Sequence, residues 1–170
     1  MDFKPYIRDI PDWPKPGVIF KDITPLLKDR AAFKGAIDAL ASHYRSSSID
    51  LVVSVEARGF IFGGALAYNL GAGFVPARKP GKLPWMKVKA EYSLEYGTDA
   101  IEMHQDAITK GKKVLVFDDV LATGGTIAAT IQLVSALGGD VVGTAFLIDL
   151  TFLHGANRLK GYDVFSLIQY

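Results

Sequence analysis

Apolar and polar positions fall in blocks along the chain, and one arrangement occurs twice: an apolar run, a short loop carrying charge, then a helical apolar face. Leu51-Val52-Val53-Ser54-Val55 is the first run, with the length and β-branched content of a buried strand. Glu56-Ala57-Arg58-Gly59 follows it, and then an apolar helix from Phe60 to Leu70. The second run is Val114-Leu115-Val116-Phe117, followed by Asp118-Asp119-Val120-Leu121-Ala122-Thr123-Gly124-Gly125-Thr126. Ile127, Ile131 and Val134 then recur at helical spacing on one face. In both units the loop stands at the carboxyl end of a strand, where ligands sit in open α/β sheets.

The remaining pattern fills in around these units. Phe3, Ile7 and Ile10 are spaced for one face of a short helix, which Pro11, Pro14 and Pro16 end. Asp29 is an N-cap candidate for an amphipathic helix whose core face is Phe33, Ile37, Leu40, Ala41 and Tyr44. His43 sits beside that face as a surface or packing residue. Phe74 to Ala77 reads as a short strand. Val88 to Gly97 is polar and alternating, as in an exposed hairpin, and Thr98 to Met103 is its returning strand. Asp140 to Leu150 is a long apolar strand after a helix ending near Gly138-Gly139, and Tyr162 to Ile168 is another strand. Gly63 and Gly64 suit close helix–sheet packing. Strands alternating with helices predict an α/β fold with a mostly parallel twisted sheet flanked by helices.

Composition narrows the function classes. The chain has 170 residues, enough for one domain with a real core, and is 49% hydrophobic and 22% charged. A net charge of +1 gives no case for non-specific nucleic-acid binding. The absence of cysteine excludes a disulfide scaffold, a zinc–cysteine site and a thiol nucleophile. No run approaches membrane-spanning length, and the first ten residues lack a signal-peptide core, so a cytoplasmic enzyme is expected. No pair of histidines has metal-ligand spacing, and no direct protein metal site is assigned.

The chemistry of the second loop points to a phosphorylated sugar. Gly124 and Gly125 let backbone N–H groups approach a ligand, and the following helix N-terminus favours an anion there. Thr123 and Thr126 add hydroxyl donors. Asp118 and Asp119, when ionised, are acceptors suited to ribose hydroxyls, directly or through a hydrated metal. No lysine follows the glycines and no GxGxxG follows a strand, so the P-loop and dinucleotide patterns both fail.

This loop resembles the phosphoribosyl diphosphate (PRPP) signature of the type I phosphoribosyltransferases. Four further segments resemble the adenine-specific branch of that family: Pro16 to Pro25, Glu56 to Phe60, Arg78 to Pro84, and Tyr92-Ser93-Leu94-Glu95-Tyr96-Gly97. The resemblance implies a purine-salvage enzyme using adenine and PRPP with Mg²⁺ to give AMP and pyrophosphate. It implies one domain over residues 1–170, with a purine-binding segment at 1–30, a basic loop and hood at 78–100, and the PRPP unit at 114–137. It implies a homodimer.

Residue roles follow from the same resemblance. Asp118, Asp119, Ala122, Thr123, Gly124, Gly125 and Thr126 would hold the PRPP phosphate and ribose. Ala57, Arg58, Arg78 and Lys82 would hold pyrophosphate, with a non-proline cis peptide near residues 56 to 58. Backbone groups of Ile19 and Lys21 would read the adenine edge, with Phe20 stacking on the base and Val120 and Tyr96 beside it. Glu95 becomes the acid/base candidate and joins Arg58 as catalytic; without the resemblance it reads as a surface carboxylate. The bases to be separated from adenine are the 6-oxopurines. A PRPP-sensing regulator is the other alternative, and it would need a nucleic-acid-binding domain or basic face that this chain lacks.

Overall fold

The structure, a computed structural model, describes residues 1–93 and 98–170. Five parallel strands form the central sheet in the order β4-β3-β7-β8-β9. They are β3 (Leu51–Val55), β4 (Gly73–Ala77), β7 (Lys113–Leu121), β8 (Asp140–Asp149) and β9 (Val164–Gln169). The apolar runs of β3, β7 and β8 are buried along most of their length, as expected of strands covered on both faces. One face packs against α1 (Thr24–Lys28), α2 (Arg30–Tyr44) and α3 (Gly59–Leu70) through a core that includes Leu26, Leu40, Phe62 and Phe117. The other packs against α4 (Gly125–Ala136) and the antiparallel hairpin β5 (Lys87–Ser93) and β6 (Thr98–His104), around Val116, Met103 and Phe146. Each large apolar side chain so buried stabilises the fold by roughly 1.5–3 kcal/mol.

Local signals explain most boundaries. Asp29 caps α2 by accepting a 2.8 Å hydrogen bond from the Ala32 N–H. Gly63 lets α3 lie on β3, since a Cβ there would meet Ser54 at 2.5 Å. Gly64 does not share that role: nothing lies within 4 Å of where its Cβ would be.

The N-terminal expectation needs correction. Phe3, Ile7 and Ile10 do not form a helix face. A single 3-10 turn, Lys4–Tyr6, precedes β1 (Arg8–Pro11), which pairs antiparallel with β2 (Ile19–Asp22). Pairing Arg8 opposite Asp22 supplies ladder hydrogen bonds and an ion pair at 2.6 Å. Those partners are distant in sequence, and they outweigh a three-position helical pattern. Asp22 is buried and also accepts from the Thr24 N–H at 2.9 Å, fixing the turn into α1. Burial disfavours its charge, but the hydrogen bonds from Thr24 and Arg8 prevail and hold its pKa below the usual value. Among the described residues no helix is long and apolar enough to cross a membrane.

Candidate active site

The loop after β7 is shaped by its backbone. Gly124 adopts φ +79° and caps α4, its carbonyl accepting from the Ala128 N–H in that helix's first turn at 3.0 Å. A Cβ on Gly124 would meet the carbonyl of Gly155 at 2.5 Å, and one on Gly155 would meet the carbonyl of Ala122 at 2.2 Å. The loop after β8 therefore lies directly on this one, backbone against backbone. The β7 loop itself, with the start of α4, forms a cleft of about 60 Å³ lined by Asp118, Val120, Ala122, Thr123, Gly125 and Thr126, among others. Thr123 is exposed, and Thr126 half-buried, at the mouth of a helix N-terminus. Val120 lies in this cleft, whereas the resemblance assigns it to the base.

Asp118 and Asp119 end the buried part of β7. Asp119 is 6% exposed and Asp118 half-buried. Burial and the neighbouring Asp119 charge push the pKa of Asp118 well above the carboxylate range. Burial raises Asp119 too, opposed by Arg58, whose Nε lies 2.7 Å from Asp119 Oδ2. That contact is an ion pair without the alignment of a hydrogen bond. Gly59 brings the start of α3 onto the other acid, since a Cβ there would meet Asp118 Oδ1 at 3.0 Å.

Arg58 also reaches the N-terminal hairpin. Its Nη1 donates to the Lys21 carbonyl at 3.0 Å, and its guanidinium carbon lies 4.6 Å from the centroid of the Phe20 ring. The edge of Trp13 meets the same ring at 4.4 Å. The Lys21 side chain turns away, pairing with Asp9 at 2.7 Å and lying 3.7 Å over the Tyr170 ring. The Lys21 carbonyl is the group that meets Arg58. The Glu56–Ala57 peptide is cis, and Ala57 is exposed.

The basic loop after β4 carries cations that anchor it and one, Lys82, with no ion pair among the described residues. Arg78 pairs with Glu56 at 2.9 Å, and Glu56 also accepts from the Lys79 N–H at 2.6 Å. Burial opposes the charge of Glu56, but these donors outweigh it and lower its pKa. Lys79 pairs with Asp99 and donates to the Tyr92 hydroxyl at 2.7 Å, tying the loop to the β5–β6 hairpin. Buried Glu102 completes the attachment through Lys87 at 2.8 Å and the Gly81 N–H at 3.1 Å. Lys82 is exposed, and its ammonium makes no ion pair among the described residues. Trp85 is exposed and edge-on to His104. The assignments to Glu95 and Tyr96 lie outside the described residues.

Sequence reasoning missed several participants. A slot of about 410 Å³ is lined on one side by Gly17, Val18, Ile19 and Lys21, and on the other by Leu150, Phe152 and Leu153. The apolar Leu-Thr-Phe-Leu run at the carboxyl end of β8 was the available signal, since that edge is where ligands sit. Glu56, Lys79 and Asp99 gave none, because each is defined by a partner distant in sequence.

The residues at the site suit a hydrated cation better than a protein-ligated one. Among those described, no group of three or more His, Cys, Asp or Glu side chains could hold a metal ion. Asp119 Oδ2, buried, ion-paired with Arg58 and without an aligned hydrogen bond among the described residues, is an atom with acceptor capacity to spare.

Comparison with known proteins matches this geometry to a family. The phosphoribosyl transferase domain model matches residues 23–168. The adenine phosphoribosyltransferase of Solibacter usitatus is 60% identical, covering 99% of this chain and 98% of the relative. The crystal structure of the adenine phosphoribosyltransferase from Thermoanaerobacter pseudethanolicus superposes with a TM-score of 0.96 at 55% identity, covering 99% and 98% of the two chains. That from Saccharomyces cerevisiae, complexed with an imino-altritol bisphosphate and adenine, gives 0.92 at 40% identity over 97% and 96%. A phosphate-loop fold matched over essentially its whole length by such relatives leaves one conclusion: this chain belongs to the adenine phosphoribosyltransferase family.

Proposed function

We propose that the protein transfers the phosphoribosyl group of PRPP to N9 of adenine, forming AMP and releasing pyrophosphate. The observation that carries this reading is the juxtaposition at one sheet edge of a backbone-built anion cradle, an acid pair and an apolar slot edged by residues 19 and 21. The loop N–H groups and the Thr123 and Thr126 hydroxyls hold the 5′-phosphate, at the positive end of α4. Asp118 and Asp119 accept from the ribose hydroxyls. The base lies in the slot, its apolar faces against Leu150 and its neighbours. The Lys21 carbonyl accepts from the exocyclic amine of adenine and opposes the oxygen of a 6-oxopurine.

At the reacting carbon the bond to pyrophosphate lengthens as N9 approaches, through an oxocarbenium-like state. Arg58 and Lys82 stabilise the charge that develops on the departing oxygens. Glu95 accepts the proton from the N7 side of the base, leaving N9 free to attack. Magnesium carried in with PRPP would neutralise part of the pyrophosphate charge, with Asp118 and Asp119 holding its water shell. Arg78 acts from behind, keeping Glu56 and the loop that bears Arg58 in place. The enzyme works as a homodimer in the cytoplasm.

The test is AMP and pyrophosphate formation from PRPP and Mg²⁺ with adenine, hypoxanthine, guanine or xanthine. Adenine-dependent product is expected; turnover with a 6-oxopurine alone would overturn the slot assignment. PRPP binding without turnover on any base would mark a regulator. Glu95→Gln is expected to lower kcat by roughly 10²–10⁴-fold. Kinetics equal to wild type would remove Glu95 from the chemistry.

A further inference from the structure

Two loops are assigned above to the two anionic ends of PRPP: the β7 loop to the 5′-phosphate and, with Arg58, the basic loop after β4 to pyrophosphate. A side chain outside both loops touches each. Tyr92 stands near the end of β5 and is 8% exposed. Its ring lies on the first residue of α4: a Cβ on Gly125 would meet Tyr92 Cδ2 at 3.1 Å, with the Ser93 carbonyl at 3.6 Å. Gly125 does not share the left-handed backbone of Gly124, so its conformation does not require glycine. The ring does, because a side chain there would push Tyr92 off its seat. At the other end, the Tyr92 hydroxyl accepts from Lys79 Nζ at 2.7 Å and donates to Asp99 Oδ2 at 3.2 Å. Lys79 also pairs with Asp99, and its backbone N–H donates to Glu56 Oε1 at 2.6 Å. The line of contact runs from the phosphate cradle, through the ring, to the basic loop and on to the loop that bears Arg58.

We propose that Tyr92 is a positioning residue that sets the separation of the two anion sites, its ring seated on Gly125 and its hydroxyl on Lys79. The inference deepens the PRPP assignment and rests on it. Its physical basis is preorganisation. A ligand held at both ends meets its second site at an effective concentration set by how well the two sites are spaced. A phenol ring has few torsions to lose, so it passes on position where a long flexible side chain would not. Its hydroxyl takes a charge-assisted hydrogen bond, stronger than a neutral one. Burial opposes the charge of Lys79, but its bonds to Asp99 and Tyr92 outweigh it and raise its pKa, so the donor is charged at neutral pH. Without the link each loop keeps the groups that hold its own anion. What is lost is their spacing, and only a ligand that spans both sites depends on that.

The experiment has two stages, which separate this inference from the assignment beneath it. Wild type is first tested for PRPP binding and for AMP formation with adenine; failure of both ends the PRPP assignment, whatever Tyr92 does. Affinities for PRPP, ribose 5-phosphate and pyrophosphate, each with Mg²⁺ and without base, are then measured by calorimetry for wild type, Tyr92→Phe and Lys79→Met. Tyr92→Phe keeps the ring on Gly125 and removes only the hydroxyl. It is expected to bind PRPP roughly fivefold more weakly, the worth of about one hydrogen bond, with ribose 5-phosphate and pyrophosphate each within about twofold of wild type. Lys79→Met cuts the same link from its other side and is expected to give the same pattern. The double variant should lose no more than either single one, since residues acting as one unit are not additive. A residue that served only as packing would weaken all three ligands alike, or lower Tm and nothing else. PRPP affinity equal to wild type in either single variant would overturn the proposal. So would a loss for PRPP matched by ribose 5-phosphate or pyrophosphate. Lys79→Met, whose side chain is 40% exposed, keeps the test decisive if Tyr92→Phe does not fold.

Discussion

The loops after β3 and β7 leave adjacent parallel strands in the same direction, yet they are shaped by different means. The β7 loop is set by backbone: a left-handed Gly124, a helix N-terminus, and the carbonyls of Ala122 and Gly155 at van der Waals limits. The β3 loop is set by side chains that reach outward, Glu56 to Arg78 and Arg58 to Asp119 and Lys21. A cradle for a constant anion can be rigid, and close backbone packing makes it so. A group that must meet a departing anion benefits from rotatable bonds and partners it can exchange. The difference teaches that one edge of one sheet carries a fixed half and an adjustable half.

The largest effect should come from filling the fixed half. Gly124→Ala places a Cβ in a strained φ region and against the Gly155 carbonyl. The resulting displacement of the loop is expected to lower kcat/KM for PRPP by roughly 10²-fold or more, the usual consequence of misplacing a binding element by about an ångström. Steady-state kinetics with PRPP varied will show this; a value within a few-fold of wild type would mean the cradle yields to an extra methyl group.

Asp118→Asn probes the junction of the halves and should move activity and stability in opposite directions. Loss of a charged acceptor is expected to cost roughly 10–10²-fold in kcat/KM, the equivalent of about 1.5–3 kcal/mol. The same change removes a charge that burial and Asp119 disfavour, and Tm is expected to rise by roughly 2–4 °C. The pH dependence has a definite sign. With its folded-state pKa raised, Asp118 favours folding most below the ordinary carboxylate pKa, and that contribution is lost as pH rises through the elevated value. PRPP affinity runs the other way, weakening as pH falls through the elevated value and the acceptor is protonated. A Tm unchanged by the substitution would show that the charge is already relieved by its surroundings.

Glu56→Gln should act more mildly. It weakens the Arg78 pair while leaving a side chain able to accept from the Lys79 N–H, and about 1 kcal/mol, or fivefold in kcat/KM, is expected. A loss as large as that of Gly124→Ala would show that the β3 loop is as rigid as its neighbour. Smallest of all is Lys21→Met, for which kcat and the adenine KM should stay within about twofold, since the ammonium is held by Asp9 and the Tyr170 ring. Stability should fall by up to about 1 kcal/mol as the Asp9 pair and the Tyr170 contact are lost. A tenfold change in adenine KM would place the ammonium in the slot.

The contrast between the loops also explains what the sequence made legible. β3, β7, β8 and their helices follow from apolar runs and helical spacing, and the Asp29 cap from a single side chain, because their determinants are local. The phosphate cradle is legible for the same reason: its glycines and hydroxyls are consecutive. The β1–β2 hairpin is not, because its register rests on Arg8 meeting Asp22. Nor are the duties within the basic loop. Composition marks Arg78, Lys79 and Lys82 alike as cations, but Glu56 and Asp99 claim the first two as anchors. The slot wall at Leu150, Phe152 and Leu153 was spelled out by an apolar run at a strand end, where a ligand edge and a packing edge look the same in one dimension.

The contact between Gly124 and Gly155 has a consequence for length. The segment after β8 supplies the slot wall at residues 150–153 and then, two residues on, rests on the loop after β7, where the Gly155 backbone meets the Ala122 carbonyl and the Leu121 side chain. Because backbone meets backbone at the centre of this contact, with the Leu121 side chain beside it, the span proposed to run from purine to 5′-phosphate is fixed like the gap of a caliper. On the proposed assignment a nucleotide is gauged by its reach as well as by its base, and a sugar phosphate longer or shorter by one bond is expected to find one jaw or the other out of register.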